Sequence, residues 1–213
     1  MTPPASAPVP VRVWVDPSCP WAWQTVRWLL ELRDRDEVEL SWSLFSLELN
    51  SSPKGTSFRE ATPRHGRSLA ALALALEEGG GPAFEALYLA LGTLLHEAKR
   101  EPSPEMLREA AVGVGLSDLP ERADERPDLD DRLVDEYAEA RRLDVFGVPT
   151  LGISDHKVVY GPIVAHAPTG EDALSLWRDV RAFAERDDLF ELKRWPRDVR
   201  PGEPADRRAE PRT

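Results

Sequence analysis

One stretch of the chain, residues 11–23, constrains the fold more than any other, because it contains the only cysteine among 213 residues. Three valines at alternate positions predict a buried strand over residues 11–15. Turn-forming and helix-capping residue types at positions 16–18 are expected to end this strand. Cys19-Pro20 then predicts the start of a helix, since the fixed φ of proline suits the first helical turn.

The thiol of Cys19 is therefore predicted to lie at the N-terminus of a helix. Backbone N–H groups without an intrahelical partner face this position, and the partial positive charge of the helix end favours a thiolate over a thiol. We expect the pKa of Cys19 to lie below its ordinary value of roughly 8.5, which would make Cys19 a nucleophile. The competing interpretation is a small buried apolar residue, the commoner role of a single cysteine.

The next segments predict an α/β protein. Apolar residues at helical spacing extend the Cys19 helix to about residue 35. Alternating apolar residues over 38–44 predict a second strand, which completes a β-α-β unit. Residues 47–56 are rich in Ser, Asn, Pro and Gly and predict a loop.

A block of about four helices is predicted between this unit and the next strand. The helical patterns occupy residues 69–76, with a stop at the glycines 79–81, and residues 84–95, 103–114 and 127–143. Alternating Ala and Leu in 69–76 also suits a strand, but both residue types are strong helix formers.

A β-hairpin and a last helix are predicted to follow the helical block. Residues 146–153 and 157–160 predict the two strands of the hairpin. Thr169 and Asp172 have the spacing of a capping box at the start of an amphipathic helix. A short helical piece is expected at residues 189–192.

The predicted order of elements resembles the thioredoxin fold in its DsbA-like form. It consists of β-α-β, a helical insertion and β-β-α, and Cys-Pro opens the first helix. The resemblance implies a thioredoxin-like domain formed by residues 9–46 and 146–195, with an inserted all-helical domain at residues 57–145. Residues 1–8 and 196–213 contain few apolar side chains and are expected to be disordered tails.

The tripeptide Val148-Pro149-Thr150 carries a further part of the resemblance. In thioredoxin folds the proline of such a tripeptide is cis and faces the active cysteine, which leaves the backbone of the preceding residue free to pair with an incoming thiol or peptide. The resemblance implies that Val148 and Pro149 lie opposite Cys19. Without Cys19, an ordinary edge-strand proline would be an equal alternative for Pro149.

Within the DsbA-like group, the chain resembles the mycothiol-dependent nitroreductases, bacterial cytosolic oxidoreductases that use mycothiol. The segments that carry this resemblance are Asp-Pro-Ser-Cys-Pro-Trp-Ala-Trp at 16–23, Gly-Val-Pro-Thr at 147–150, Tyr-Gly-Pro at 160–162, and residues 170–194.

The resemblance to these nitroreductases implies a site in which Cys19 is catalytic. The residues implied to bind the thiol or the substrate are Pro20, Trp21, His96, Val148, Pro149, Thr150 and Gly161. Trp21 is expected to wall the cleft, with core packing as the alternative. His96 falls where the family places a histidine near its groove, and a solvent-facing helix position is the alternative for a lone histidine.

The chain departs from the family pattern at one informative position. The family motif is Cys-Pro-Trp-Cys, whereas Ala22 replaces the second cysteine here. With no other cysteine in the chain, a dithiol–disulfide cycle within one subunit is excluded. Cys19 could still attack a mixed disulfide, or become a sulfenic acid that condenses with a small thiol, and a second thiol would release it. The alternative is that the activity has been lost or altered.

Composition limits the cellular setting and the partners. A single cysteine cannot form an internal disulfide, so a reducing compartment is expected. Residues 1–8 lack the basic and apolar regions of a signal peptide, and no apolar run approaches the roughly 20 residues of a membrane span. A net charge of −11 argues against nucleic acid or an anionic membrane surface as a partner. We expect a cytoplasmic protein.

The sequence also contains no pattern typical of a metal or nucleotide site. The four histidines have neither a cysteine partner nor the paired spacing of zinc ligands. No phosphate loop and no dinucleotide fingerprint is present. We expect no metal and no tightly bound cofactor.

The leading functional hypothesis is a monothiol DsbA-like oxidoreductase. Cys19 would work with a low-molecular-weight thiol such as mycothiol as co-substrate, on a small electrophilic or nitroaromatic substrate. One alternative is a DsbA-like transferase or isomerase that binds the small thiol noncovalently between Trp21, Val148 and the helical block. The other is a non-catalytic binding module in which Cys19 is incidental. The expected assembly is a monomer or a homodimer.

Overall fold

A four-stranded mixed sheet lies at the centre of the protein, whose computed structural model describes residues 7–154, 157–193 and 201–202. The strands are β1 (Val9–Val15), β2 (Val38–Leu44), β3 (Thr150–Ile153) and β4 (Lys157–Tyr160), in the spatial order β2-β1-β3-β4. Strand β1 pairs parallel with β2 and antiparallel with β3, which pairs antiparallel with β4. The predicted β-α-β and β-β-α order is confirmed.

Helices connect and cover these strands. They are α1 (Pro20–Arg33), α2 (Leu47–Ser51), α3 (Phe58–Ala61), α4 (Gly66–Gly92), α5 (Pro104–Gly113), α6 (Leu119–Asp124), α7 (Asp128–Arg142) and α8 (Gly170–Ala184), with a π-helical turn at Thr93–Glu97 directly after α4. The segment between β2 and β3 is thus helical wherever it is regular. None of these helices is both long enough and apolar enough to cross a membrane.

Strand β1 is one of the two inner strands and is covered on both faces. Val11, Val13 and Val15 belong to the main hydrophobic core, which also contains side chains of α1 and α4. Trp14 points to the opposite face, because successive strand residues alternate sides, and packs in a second cluster with Ala140 of α7. This second cluster also contains Cys19, so the cysteine belongs to the smaller of the two cores.

Helix α8 is attached to α1 by two kinds of contact. The rings of Trp28 and Trp177 meet edge to face at 6.2 Å, and Trp28 Nε1 donates to the carbonyl of Ala173 at 3.1 Å. The expected capping box does not form, since Thr169 makes no side-chain cap hydrogen bond. The first free N–H of α8, on Gly170, instead donates to Glu31 of α1 at 3.0 Å.

The expected helix stop at glycines 79–81 is a kink within α4. Gly80 has φ 63° and ψ −159°, which no helix contains, and Pro82 begins the second part of α4. At the end of α4, Gly92 lies against the ring of Trp23 so closely that a Cβ there would be 2.3 Å from the nearest ring atom. Glycine therefore permits α4 to approach α1.

Three other local expectations were wrong. The predicted loop at 47–56 begins with α2, because Ser46 caps it by accepting from Leu49 N at 3.1 Å. The third strand begins at Thr150 rather than at residue 146, and Pro149 has no N–H to donate to a sheet. Residues 189–192 form no helix, and Phe190 and Leu192 are exposed, so no apolar face is buried there.

The expected tails lie mostly outside the described residues. Residues 1–6, 194–200 and 203–213 are not described. Within the expected tail at 196–213, Pro201 and Gly202 are described, and Gly202 N donates to the carbonyl of Ala165. This pair therefore contacts the folded body.

Candidate active site

Cys19 is the N-cap residue of α1, as its position before Pro20 predicts. Its backbone is extended, and its Sγ accepts a hydrogen bond from Ala22 N at 3.4 Å. Cys19 N donates to the carbonyl of Asp16 at 3.1 Å, which closes the turn between β1 and α1. Pro20 occupies the first helical turn, where it has no N–H to satisfy. The sulfur thus accepts a hydrogen bond from a backbone N–H at the N-terminus of the helix.

The turn before Cys19 is held by the buried carboxylate of Asp16. Its two oxygens accept from Ser18 N and from Leu47 N, both at 2.7 Å, and so join the cysteine turn to α2. Burial is the main cause that raises the pKa of Asp16, while the hydrogen bonds oppose this change. A buried acid that accepts two backbone donors is costly to disturb, so we interpret Asp16 as the support of the turn.

The other side of Cys19 is formed by the segment before β3. The Val148–Pro149 peptide bond is cis, and the thiol of Cys19 donates to the carbonyl of Val148 at 3.6 Å. Thr150 is buried, and its hydroxyl donates to the carbonyl of Gly147 at 2.7 Å. Val148 is thus in direct contact with the Cys19 sulfur. The implied roles of Val148, Pro149 and Thr150 in binding thiol or substrate stay predictions.

Gly161, the residue directly after β4, supports this segment. Its N–H donates to the carbonyl of Pro149 at 2.8 Å, and its φ of 99° is a conformation that glycine adopts readily. The Gly161–Pro162 bond is also cis, and the carbonyl of Pro162 accepts from the Thr25 hydroxyl of α1 at 2.8 Å. Gly161 is thus hydrogen-bonded to Pro149, the residue that follows the one in contact with Cys19.

The pKa of Cys19 is shifted in the direction opposite to the expectation. The side chain is only 6% exposed, and burial raises the pKa of the thiol above its ordinary value. Hydrogen bonds from Ala22 and Trp21 lower the pKa, and the charge of Asp16 raises it, but burial is the largest cause. The expected low pKa is therefore wrong for this conformation, because the cost of removing a thiolate from water exceeds the benefit of the helix end.

His96 is half-buried and contacts the cysteine turn. The π-helical turn places its Nε2 2.9 Å from the carbonyl of Pro17, so Nε2 carries the proton and donates it to this carbonyl. Burial lowers the pKa of His96, which favours the neutral ring. The alternative, a helix residue that faces only solvent, does not describe His96, which is half-buried against Pro17. Its implied role in binding thiol or substrate stays a prediction.

The two tryptophans beside Cys19 occupy different surroundings. Trp23 is buried and packs against Tyr88, with ring centroids 6.2 Å apart. Trp21 is partly buried and packs against the small core that contains Cys19. Trp21 is thus the tryptophan that keeps an exposed side next to the thiol, and its role in the cleft stays a prediction.

Two residues of this region were not named as candidate site residues from the sequence. Tyr88 is buried, and this burial is the main cause that raises the pKa of its hydroxyl, with smaller contributions from Cys19 and Asp16. Tyr160, at the end of β4, has its pKa raised by burial and by Cys19. The helical stripe of α4 made Tyr88 resemble an ordinary core residue. Tyr160 stands directly before Gly161-Pro162, and that adjacency was the available signal.

No group of three His, Cys, Asp or Glu side chains suited to a metal ion occurs within the described ranges.

Comparisons with known proteins identify relatives of the chain. The model of a protein family described as mycothiol-dependent nitroreductase Rv2466c matches residues 18–194. The uncharacterized protein Rv2286c of Mycobacterium tuberculosis is 29% identical over 194 residues, which span 90% of this chain and 81% of that protein.

Solved structures with low sequence identity share the fold. The probable DsbA oxidoreductase SCO1869 from Streptomyces coelicolor has a TM-score of 0.57 at 20% identity, covering 86% of this chain and 94% of that chain. The cytosolic disulfide reductase DsbM from Pseudomonas aeruginosa, solved with GSH, has a TM-score of 0.55 at 16% identity, covering 81% and 99%. These similarities confirm the predicted DsbA-like thioredoxin fold.

Proposed function

Because the chain belongs to the Rv2466c-like family of mycothiol-dependent nitroreductases, we propose that Cys19 is a single nucleophilic thiol that works with a low-molecular-weight thiol such as mycothiol. The substrate in this proposal is a small electrophilic compound, with nitroaromatics as the first class to test. The observation that carries the proposal is the position of the Cys19 sulfur, between Ala22 N at 3.4 Å and the carbonyl of Val148 at 3.6 Å, beside the cis Pro149.

Ala22 determines which cycle is available. In the first half, the Cys19 thiol and one small thiol RSH join as the mixed disulfide Cys19–S–S–R. The two electrons and two protons that they lose reduce the substrate. A nitro group that takes up these electrons and protons becomes a nitroso group and releases one water. In the second half, another RSH attacks the mixed disulfide, which releases RSSR and returns the Cys19 thiol. Two small thiols are consumed in each turnover.

The Val148 carbonyl and the adjacent backbone suit the binding of a small thiol. The carbonyl already accepts the Cys19 S–H, so it lies at hydrogen-bond range of the sulfur that would carry the adduct. The Pro149 carbonyl is occupied by Gly161 N, which leaves Val148 as the backbone group nearest the reaction. We propose Trp21, Pro20, Thr150 and His96 as the surroundings of the bound thiol.

Turnover of a nitroaromatic compound with mycothiol tests this function. We expect consumption of two thiols for each two-electron reduction, with no activity in Cys19→Ser. In mass spectra, the wild type should accumulate a single small-thiol adduct. The matched variant Ala22→Cys should not accumulate it, because a second sulfur three residues away would displace the small thiol as an internal disulfide. Equal turnover in wild type and Cys19→Ser would refute the proposal.

A noncovalent role for the small thiol is the second candidate, and the burial of Cys19 favours it. A thiol that is 6% exposed and has a raised pKa is a weak nucleophile at neutral pH. A transferase or isomerase of the same fold would bind the reduced thiol and need no sulfur from the protein. Calorimetry with reduced mycothiol and a turnover assay together distinguish the two functions. Only the second function predicts that Cys19→Ser equals the wild type in both binding and turnover.

The proposal also places the protein in the cytoplasm. A free cysteine that reacts with a reduced small thiol needs a reducing compartment. Fractionation of the native cells, with detection of the protein in the soluble cytoplasmic fraction, tests this location.

A further inference from the structure

Two aromatic side chains stand partly in solvent beside the Cys19 site. Phe146 is 57% exposed and Tyr160 is 47% exposed, and their ring centroids are 4.6 Å apart at an angle of 36°. Large apolar side chains on a protein surface are common when they occur singly. Here two rings from different segments are packed together and still leave a large part of their surface uncovered, which indicates a ready-made aromatic surface.

The backbone connects this ring pair to the reactive sulfur. Tyr160 lies over Gly147, where a Cβ would be 3.2 Å from the ring. The next residue is Val148, whose carbonyl accepts the Cys19 S–H. Cys19 is one of the causes that raise the pKa of Tyr160, so the phenol and the thiol lie within electrostatic range of each other. The ring pair is therefore the wall of the site on the Val148 side.

The size of the exposed surface favours a small occupant over a protein. Fully buried aromatic side chains remove on the order of 150–250 Å² each, so two rings about half exposed offer roughly 200 Å². A stable protein interface buries about 800 Å² on each partner. Even with the neighbouring Ile163, which is 46% exposed, the surface stays far below that size. It matches the face of one small ring.

We infer that Phe146 and Tyr160 form a stacking site for the planar, electron-poor aromatic ring of the compound on which Cys19 acts. The faces of both rings carry negative π charge, which attracts a ring depleted of electrons by a nitro or similar substituent. This inference rests on the proposed function for the chemistry at Cys19. It assigns substrate selection to two residues that make no hydrogen bond to the sulfur among the described contacts.

Binding measured without turnover tests the stacking site. The protein is Cys19→Ser, which removes the reaction, and the probe is 4-nitrobenzyl alcohol, titrated by ligand-observed NMR. Phe146→Leu and Tyr160→Leu replace the ring with an aliphatic side chain of similar bulk, and Tyr160→Phe removes only the hydroxyl. Phe190→Leu is the matched control, since Phe190 is 88% exposed and has no described ring contact. Cyclohexylmethanol is the non-planar control ligand.

We expect saturable binding of the nitro probe that is about two- to tenfold weaker in Phe146→Leu and Tyr160→Leu. Binding should be unchanged in Phe190→Leu and Tyr160→Phe, and cyclohexylmethanol should bind more weakly. Lack of saturable binding, or equal binding by Phe146→Leu and Phe190→Leu, overturns the inference, as does equal affinity for the two ligands. If Tyr160→Leu fails to fold, the exposed Phe146→Leu decides.

The outcome for this site is separable from the outcome for the proposed function. Ring-dependent binding in Cys19→Ser, combined with no thiol-dependent turnover in the wild type, would keep the stacking site and reject the monothiol reaction. Thiol-dependent turnover with equal KM in Phe146→Leu and wild type would keep the reaction and reject the stacking site.

Discussion

Cys19 is subject to two opposing effects at the scale of a single residue. The helix end and the N–H of Ala22 favour the thiolate, while burial and the charge of Asp16 favour the thiol. Burial is the larger effect, because an ion placed in a low-dielectric interior loses more solvation than one hydrogen bond returns. The same burial also limits the access of bulky reagents to the sulfur.

The raised pKa of Cys19 predicts a late rise in its reactivity with pH. The rate of alkylation by iodoacetamide should still increase above the ordinary cysteine pKa, since the reactive thiolate forms only at higher pH. The measurement is the rate constant from pH 6 to 10, followed by mass spectrometry, with Cys19→Ser as the blank. A midpoint at or below that of a free cysteine peptide would show that the helix end dominates in solution.

His96 predicts a dependence of stability on pH. Burial lowers its pKa in the folded state, so its contribution to stability is present above the ordinary value of about 6.5 and is lost as the pH falls through the folded value. The free energy of unfolding from urea titrations should therefore decline more between pH 7.5 and 5.5 in wild type than in His96→Gln. The exposed His166→Gln is the control and should retain the wild-type decline. Equal declines in wild type and His96→Gln would contradict this prediction.

Helix α1 is the element on which the site depends, since Cys19 lies at its start and the helix packs against both α4 and α8. Thr25 holds the Gly161–Pro162 turn, Trp28 packs on α8, and Trp23 packs against the end of α4. The close contact between Trp23 and Gly92 brings α4 near enough for the following turn to place His96 on the Pro17 carbonyl. Helix spacing and site geometry are therefore linked.

Gly92→Ala should destabilise the protein by about 1–3 kcal/mol, because the added methyl group would overlap the Trp23 ring and force the helices apart. Gly113→Ala is the matched control. Gly113 ends α5, and a Cβ there meets no atom within 4 Å, so the change should be neutral or slightly stabilising. Chemical unfolding of the three proteins gives the comparison, and equal stabilities would contradict the packing argument.

The elements that were predictable from sequence are those with a local cause. The β1–α1 junction follows from alternating valines and from Cys19-Pro20, and α5 follows from Ser103-Pro104, where the serine accepts from Met106 N at 3.1 Å. The features that were missed depend on distant partners. Glu31 replaces Thr169 as the cap of α8, and the stacking of Phe146 on Tyr160 joins residues of two different segments. No local pattern specifies such pairs.

At the scale of the whole molecule, the protein has one sulfur available for disulfide chemistry. We expect oxidation by diamide with glutathione present to add one glutathione per chain and to form no covalent dimer. The small tripeptide can reach a thiol that is 6% exposed, whereas two folded copies cannot bring their buried sulfurs together. Intact mass and a non-reducing gel measure both products. Cys19→Ser should gain no mass. A covalent dimer of the wild type would contradict this prediction, because it would show that the Cys19 sulfur becomes accessible to a second folded copy.

Ala22 has a consequence for how such a catalyst would behave in a cell. A protein with two neighbouring sulfurs can keep an oxidising equivalent as its own disulfide, whereas in the proposed cycle this chain keeps one as a mixed disulfide with a small thiol. When that thiol is scarce, turnover stops at the joined form. In that form the sulfur is capped and protected from irreversible oxidation. With alanine at this position, the rate of turnover would therefore depend directly on the concentration of reduced small thiol.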